Sequence, residues 1–92
     1  MIFRYRLPSE WVAKISNMLE FASGGTKVTV RTKDGKTFHD VLISNCMWPV
    51  AVKGFEDLPF KIEEIQDIFQ TEDDKNPQGS IHWHYWDDWG KK

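Results

Sequence analysis

A β-branched stretch with an Asp-Gly pair at its centre constrains the fold of this chain more than any other feature. The stretch reads GTKVTVRTKDGKTFHDVLISN over residues 25–45, and the pair is Asp34 and Gly35. Because glycine adopts a positive φ at little cost, Asp-Gly between two such runs is a strong hairpin signal. We therefore predict two antiparallel strands, at residues 28–32 and 37–43, in a small curved sheet.

The second of these strands is apolar on both of its faces. Val41 and Ile43 point to one face and Leu42 to the other, because side chains alternate along a strand. A strand of this kind usually lies in the centre of a sheet that is covered on both sides. We expect an N-terminal helix to supply one of the two covers.

That helix is predicted by an apolar stripe between residues 11 and 22. Ser9 is expected as its N-cap, and a glycine pair that follows the stripe is expected to end it, which gives about three turns. Trp11, Ile15 and Leu19 lie on the stripe. We expect these three side chains to pack against the sheet.

Further strands are expected at residues 46–52, 65–69 and 80–89. Pro49 cannot donate a ladder hydrogen bond, so it is expected at an edge, a bend or a bulge. Isoleucines at a spacing of three predict a helical turn at residues 62–65, which leads into the strand that follows.

The length and composition indicate one domain that covers residues 1–92. No apolar run approaches the roughly 20 residues that span a bilayer, and the N-terminus lacks the core of a signal peptide. The single cysteine, Cys46, excludes an internal disulfide framework. We expect a cytoplasmic protein that does not enter a membrane.

The order of helix, hairpin, third strand and Phe-x-Ile-x-x-Ile-x-x-Ile segment resembles the SH3-like or Sm-like small barrel of short bacterial proteins. The residues that carry the resemblance are Val28, Val30, Asp34, Gly35, Val41, Ile43, Phe60, Ile62, Ile65 and Ile68. The resemblance implies a mostly-β (α+β) fold, a small barrel of about five strands with one N-terminal amphipathic helix.

The same resemblance does not imply RNA binding. An Sm-type RNA binder would carry a glycine where this chain has Asp40. It would also carry an Asp-x-x-x-Asn type of base-binding segment, of which Ser44 and Asn45 are only a fragment. Function therefore has to be argued from a site.

Two histidines near the C-terminus are the candidate metal ligands. His82 and His84 leave the same face of a strand, so their imidazoles could chelate one divalent ion. Metal sites usually have three or four protein ligands, so the alternative is a pair of ring side chains on a terminal strand.

Two groups of residues are candidates for an interaction surface. The first is an aromatic row that includes Trp83, Trp86 and Trp89, which could grip a peptide, stack bases or instead close the core. The second is the basic hairpin, which carries Lys27, Arg31, Lys33 and Lys36. Such a patch could contact nucleic acid, or it could simply be solvated.

The charges of the chain are divided unevenly between its two halves. Residues 1–53 carry eight basic and four acidic residues, whereas residues 54–92 carry four and ten. This split would let a second copy set its acidic half against the basic hairpin. An acidic run is expected on a solvated face; its members are Glu63, Glu64, Asp67, Glu72, Asp73 and Asp74. Residues 71–79 are expected to form an acidic loop.

No phosphate-binding loop, nucleophile elbow or Cys-x-x-Cys motif is present in the sequence. Cys46 is expected to be a small core residue, and His39 has no evident partner. We therefore predict a non-catalytic interaction or ligand-binding module without a cofactor, which binds a partner protein or associates with itself. The alternatives are a small barrel that binds RNA or single-stranded DNA, and a metal-binding protein that uses His82 and His84.

Overall fold

Four antiparallel strands form one open sheet in the computed structural model, which describes residues 4–20, residues 25–75 and Trp86. The strands are β1 (Gly25–Thr32), β2 (Thr37–Ser44), β3 (Trp48–Val52) and β4 (Ile65–Phe69), in the spatial order β3-β2-β1-β4. The short helices are α1 (Ser9–Ile15) and α2 (Glu72–Lys75), and a single 3₁₀ turn, Ile62–Glu64, precedes β4. The described chain is thus a small, compact and mostly β domain.

The β1–β2 hairpin forms where the Asp-Gly pair predicts it. The Gly35 amide donates to the Thr32 carbonyl at 3.0 Å, and Gly35 has a φ of 86°. The Thr32 amide in turn donates to the carbonyl of Lys36 at 2.9 Å. This is a three-residue hairpin loop whose last residue takes the left-handed conformation, so only the glycine needs a positive φ.

The sheet is buried on both faces around β1 and β2, which confirms the central position predicted for β2. On one face, Val28, Val41 and Ile15 belong to a single buried apolar cluster. On the other face, Leu42 is 1% exposed. Pro49 lies on the edge strand β3, where the β2–β3 register shifts, as its missing amide donor predicts.

The helix α1 is shorter than the predicted three turns, and this changes the role of Leu19. Beyond Ile15, the Ser16 hydroxyl and the Asn17 side-chain amide both donate to the carbonyl of Ala13, at 2.7 and 3.2 Å. Side chains of this kind compete with the backbone for hydrogen bonds and favour turns over helix. Ile15 is fully buried as predicted, but Leu19 is 57% exposed, so its predicted packing against the sheet is wrong.

The beginning of this helix also differs from the prediction. Pro8 is the N-cap, with an extended φ of −60° and ψ of 158°, and Ser9 is the first helical residue. None of the helices in the described part of the chain is long and apolar enough to cross a membrane.

The second half of the described chain follows the isoleucine pattern closely. A 3₁₀ turn at Ile62–Glu64 leads directly into β4, as predicted. The acidic segment that follows is a short helix, α2, rather than a loop. The strand predicted at residues 80–89 lies outside the described residues, apart from Trp86.

Candidate functional site

Three phenylalanine rings converge at one end of the sheet, next to the β1–β2 turn. The Phe38 ring on β2 lies 5.1 Å from that of Phe60 and 6.0 Å from that of Phe55, measured between ring centroids. Phe55 and Phe60 both come from the connection between β3 and β4. Such tilted and edge-on ring pairs are the favoured geometries for aromatic side chains.

A tight turn after β3 presents Phe55 to solvent. The Phe55 amide donates to the Val52 carbonyl at 3.0 Å, and Gly54 within the turn has a φ of 88°. Phe55 is consequently 42% exposed, although its ring contacts Phe38. Phe55 therefore adds an exposed apolar ring to the edge of the aromatic cluster.

Two open hollows meet at Phe60, whereas Phe55 lines neither of them. The hollow on the hairpin side is about 360 Å³, and the one on the other side is about 470 Å³. They share Pro59, Phe60 and Lys61, which form a ridge between them. Phe38 and Lys36 line the first hollow, and Tyr5 and Leu58 line the second. We call this surface the phenylalanine groove.

The charges along the phenylalanine groove are only partly paired. The Lys36 ammonium lies 3.7 Å from the Asp34 carboxylate. A hydrogen bond from the Thr32 hydroxyl holds the pKa of Asp34 below its ordinary value, so this carboxylate stays ionised. Within the described residues, the ammonium of Lys61 makes no ion pair.

A second cluster, around Lys27, lies on the opposite face of the sheet from the main core. Between the pairs Val28–Val41 and Val30–Phe38, two residues of β2 oppose the single residue Thr29 of β1. This bulge consists of His39 and Asp40, and Asp40 has a φ of 56°. The extra residue turns Asp40 toward Lys27.

Lys27 is buried among three carboxylates that come from two elements. Its Nζ lies 2.9 Å from Asp40 Oδ1, 2.6 Å from Asp73 Oδ2 and 3.8 Å from Asp74 Oδ1. Burial acts to lower the pKa of Lys27, but the hydrogen bonds to Asp73 and Asp40 outweigh it and raise the pKa above the ordinary value. The ammonium therefore stays charged at neutral pH and is not a nucleophile.

Asp74 is 2% exposed, and its carboxylate closes a capping box on α2. Its Oδ2 accepts the Thr71 amide at 3.0 Å, while the Asp74 amide donates to the Thr71 hydroxyl at 3.2 Å. The same Oδ2 accepts the Thr29 hydroxyl at 2.8 Å, and His39 Nδ1 lies 3.2 Å from that hydroxyl. Asp74 is thus buried and His39 has a partner, so both predictions are wrong.

The carboxylates of Asp40, Asp73 and Asp74 lie within 4.8 Å of one another, a spacing that could hold a cation. The Lys27 ammonium contacts all three and supplies that cation from within the chain. The cluster therefore reads as a structural ion pair network, and the phenylalanine groove is the better candidate for function.

The residues predicted for interaction do not converge on one surface. Trp86 is 6% exposed; its Nε1 donates to the Pro49 carbonyl at 3.0 Å, and its ring lies 5.9 Å from that of Tyr5. It therefore lies in the core, the alternative considered for the aromatic row. Trp83, Trp89 and the predicted metal ligands His82 and His84 lie outside the described residues.

The basic hairpin residues also separate. Lys36 lines the phenylalanine groove, whereas Arg31 lies 5.4 Å above the ring of Phe69 on β4. Lys33 is exposed in the turn, and its amide donates to the Glu64 carbonyl at 2.8 Å. Lys27, which the sequence places in the same patch, is 1% exposed and belongs to the buried network.

Sequence reasoning used Phe60 only as part of the fold pattern and did not connect it with Phe38 and Phe55, because the three follow no periodic pattern. The available signal was Phe55 beside Gly54, in a loop where a large apolar residue has no strand to pack in.

Scans against protein-family models, curated proteins and solved structures find no significant match for this chain.

Proposed function

We propose that this chain is a non-catalytic interaction module that binds an extended segment of a partner protein in the phenylalanine groove. The observation that carries the proposal is Phe60, which lines both hollows while its ring packs on Phe38. Aromatic side chains dominate the energetics of protein interfaces, and grooves lined by them recur in peptide recognition.

The two hollows define the kind of segment that fits. The ridge at Phe60 separates them, so an extended peptide lying across it would place one apolar side chain in each hollow. Lys61 stands on this ridge and would donate to a carbonyl of the bound backbone. The flanking Lys36–Asp34 pair would form part of the polar rim that surrounds such a contact.

The absence of an evident reaction centre in the described residues supports a non-catalytic role. The Lys27 amine is held protonated, as described above. Burial and the nearby charge of Glu20 raise the pKa of the Cys46 thiol, so it too is a poor nucleophile at neutral pH.

We further propose that the sheet closes as a small SH3-like or Sm-like barrel in a cytoplasmic protein. The support is the order of the β1–β2 hairpin, β3, the 3₁₀ turn and β4, together with the single cysteine of the chain.

Selection from a displayed library of random peptides on the wild-type protein tests the groove. Peptides so selected should bind the Phe60→Ala variant, once its amide spectrum shows that it is folded, at least about tenfold more weakly. Phe60 lines both hollows, and truncating a central aromatic residue removes on the order of 2 kcal/mol. The matched control is Leu19→Ala, which removes a large hydrophobic side chain that is exposed outside the groove. That variant should bind within about twofold of the wild type.

Failure to select any peptide, or equal weakening by both substitutions, would contradict the proposal. The binding of the selected peptides is then measured again with excess single-stranded RNA. Displacement of the bound peptides by that RNA, relieved by salt, would instead support nucleic-acid binding.

A further inference from the structure

The five residues 71–75 (Thr71, Glu72, Asp73, Asp74 and Lys75) lie over the face of the sheet that carries Lys27, and all five are polar. We call them the acidic strap. Of α2, only Asp74 is buried, and its burial is of a carboxylate rather than of apolar surface. Segments with few buried apolar contacts open at lower free energy than the core does.

The contacts that fasten the acidic strap to the sheet are ion pairs and hydrogen bonds. Asp73 pairs with Lys27 at 2.6 Å, and Asp74 accepts the Thr29 hydroxyl at 2.8 Å. Lys27 keeps a partner without the strap, because Asp40 lies 2.9 Å away on β2. Detachment would therefore hydrate the lysine without leaving it unpaired.

We propose that the acidic strap is an ion-gated cover that opens from the sheet, without unfolding of the sheet, when its ion pairs are discharged or screened. Opening uncovers Lys27, Thr29 and the β2 bulge, which together form a polar surface on an otherwise folded sheet. A four-residue helix has no stability of its own in water, so α2 unwinds when it detaches.

The charged and titratable groups around Lys27 define the conditions for opening. Asp40 and His39 face it from β2, Asp73 and Asp74 from α2, and Lys53 lies near Asp73 after β3. The hydrogen bond from Lys27 lowers the pKa of Asp73. The Asp73–Lys27 contact is accordingly present above the ordinary carboxyl pKa of about 3.9, and is lost as the pH falls through the lowered value.

At alkaline pH the contact depends on pH in the opposite direction, because Lys27 loses its proton there. The pKa of Lys27 is raised, so its contribution is fully present below the ordinary lysine value of about 10.4 and is lost as the pH rises through the raised value. The strap is thus held closed over a broad neutral window. Salt loosens it within that window, because Asp73 is 72% exposed on its side chain.

Amide hydrogen exchange of the full chain, followed by NMR, tests this cover. The reporters are the amides of Thr71, Asp74 and Lys75, which are all hydrogen-bonded in the closed strap. In Asp73→Asn at neutral pH, their protection should fall about fivefold, the usual upper size for a partly exposed ion pair. The protection of the β1 and β2 amides should not change.

The matched control is Glu63→Gln, which removes the same charge from an exposed position on the 3₁₀ turn. It should leave the protection of the strap unchanged. Added sodium chloride should lower the protection of the wild-type strap before that of β1 and β2. Equal effects of the two substitutions, or strap amides that exchange only together with β1 and β2, would overturn the proposal.

Discussion

At the scale of single residues, three non-glycine positions hold a positive φ, and each one shapes a distinct feature. Among the described residues these are Asp40 at 56°, Asn45 at 51° and Cys46 at 64°. Asp40 forms the bulge that turns its carboxylate to Lys27. Asn45 and Cys46 form the turn between β2 and β3, closed by the Met47 amide on the Ser44 carbonyl at 3.0 Å.

The β2–β3 turn needs a positive φ at both central residues, which is the geometry of a type I′ turn. Asparagine tolerates this conformation well, but cysteine does not. We expect Cys46→Gly to be more stable than Cys46→Ala by about 1 kcal/mol, because both lose the thiol and only glycine relieves the backbone strain. Urea unfolding measures the difference. Equal midpoints for the two variants would contradict the assigned strain.

Gly35 offers a second test at this scale. No atom lies within 4 Å of a Cβ built at Gly35, so the cost of a side chain there comes from its φ of 86° alone. We expect Gly35→Val to lose on the order of 1 kcal/mol or more in the free energy of unfolding. Gly35→Asn should lose less, because asparagine tolerates positive φ. A valine variant as stable as the asparagine variant would argue against this turn.

Single-residue burial was the part of the site that the sequence predicted least well. Lys27 looked like one member of a basic patch, and Asp74 like one member of a solvated acidic run. Their burial depends on a bulge in β2 and on the contacts of Asp74 with Thr29 and Lys27, which join residues that are far apart in the sequence. The neighbouring sequence does not predict such long-range contacts. The conformation of the hairpin glycine, in contrast, follows from the residues next to it.

At the scale of elements, the hairpin, the Pro49 edge strand and the turn into β4 could be predicted because each has a local physical cause. The presence of helix α1 could be predicted, but it begins one residue before the predicted start and ends well before the predicted end. The apolar stripe continues past Ile15, but side chains of Ser16 and Asn17 bind the Ala13 carbonyl and favour a turn.

Because α1 ends at Ile15, substitutions at the two ends of the apolar stripe should differ in their effect on stability. Ile15→Ala should lower the free energy of unfolding by roughly 2–5 kcal/mol, because it empties a fully buried site. Leu19→Ala should change it by less than about 0.5 kcal/mol, since Leu19 is 57% exposed. Denaturant unfolding of the two variants checks this pair. A large loss for Leu19→Ala would mean that the helix continues as the stripe alone suggests.

At the scale of the whole molecule, each edge strand of the described sheet has a backbone group that is already bound within the chain. On β4, the Ile68 amide is bound by the Asp67 carboxylate at 2.9 Å, and Lys14 of α1 pairs with that carboxylate at 2.6 Å. On β3, the Val50 carbonyl accepts the Trp86 amide at 3.4 Å. Edges guarded in this way discourage strand-to-strand association.

The uneven division of charge therefore has an explanation within the chain. Basic Lys27 of the first half pairs with acidic Asp73 of the second half. Lys14 of the first half likewise pairs with Asp67 of the second. Part of the charge split thus contributes to the fold. The surface that we propose for recognition is the phenylalanine groove, which lies beside the hairpin turn.

The most direct test of this account is a map of amide chemical-shift changes when the labelled protein binds a peptide selected on it. The account predicts that the changes concentrate at residues 32–38 and 55–64, on both sides of the ridge at Phe60. Changes concentrated instead around Leu19 and Phe69, or spread over the sheet edges, would contradict the assignment of function to the phenylalanine groove.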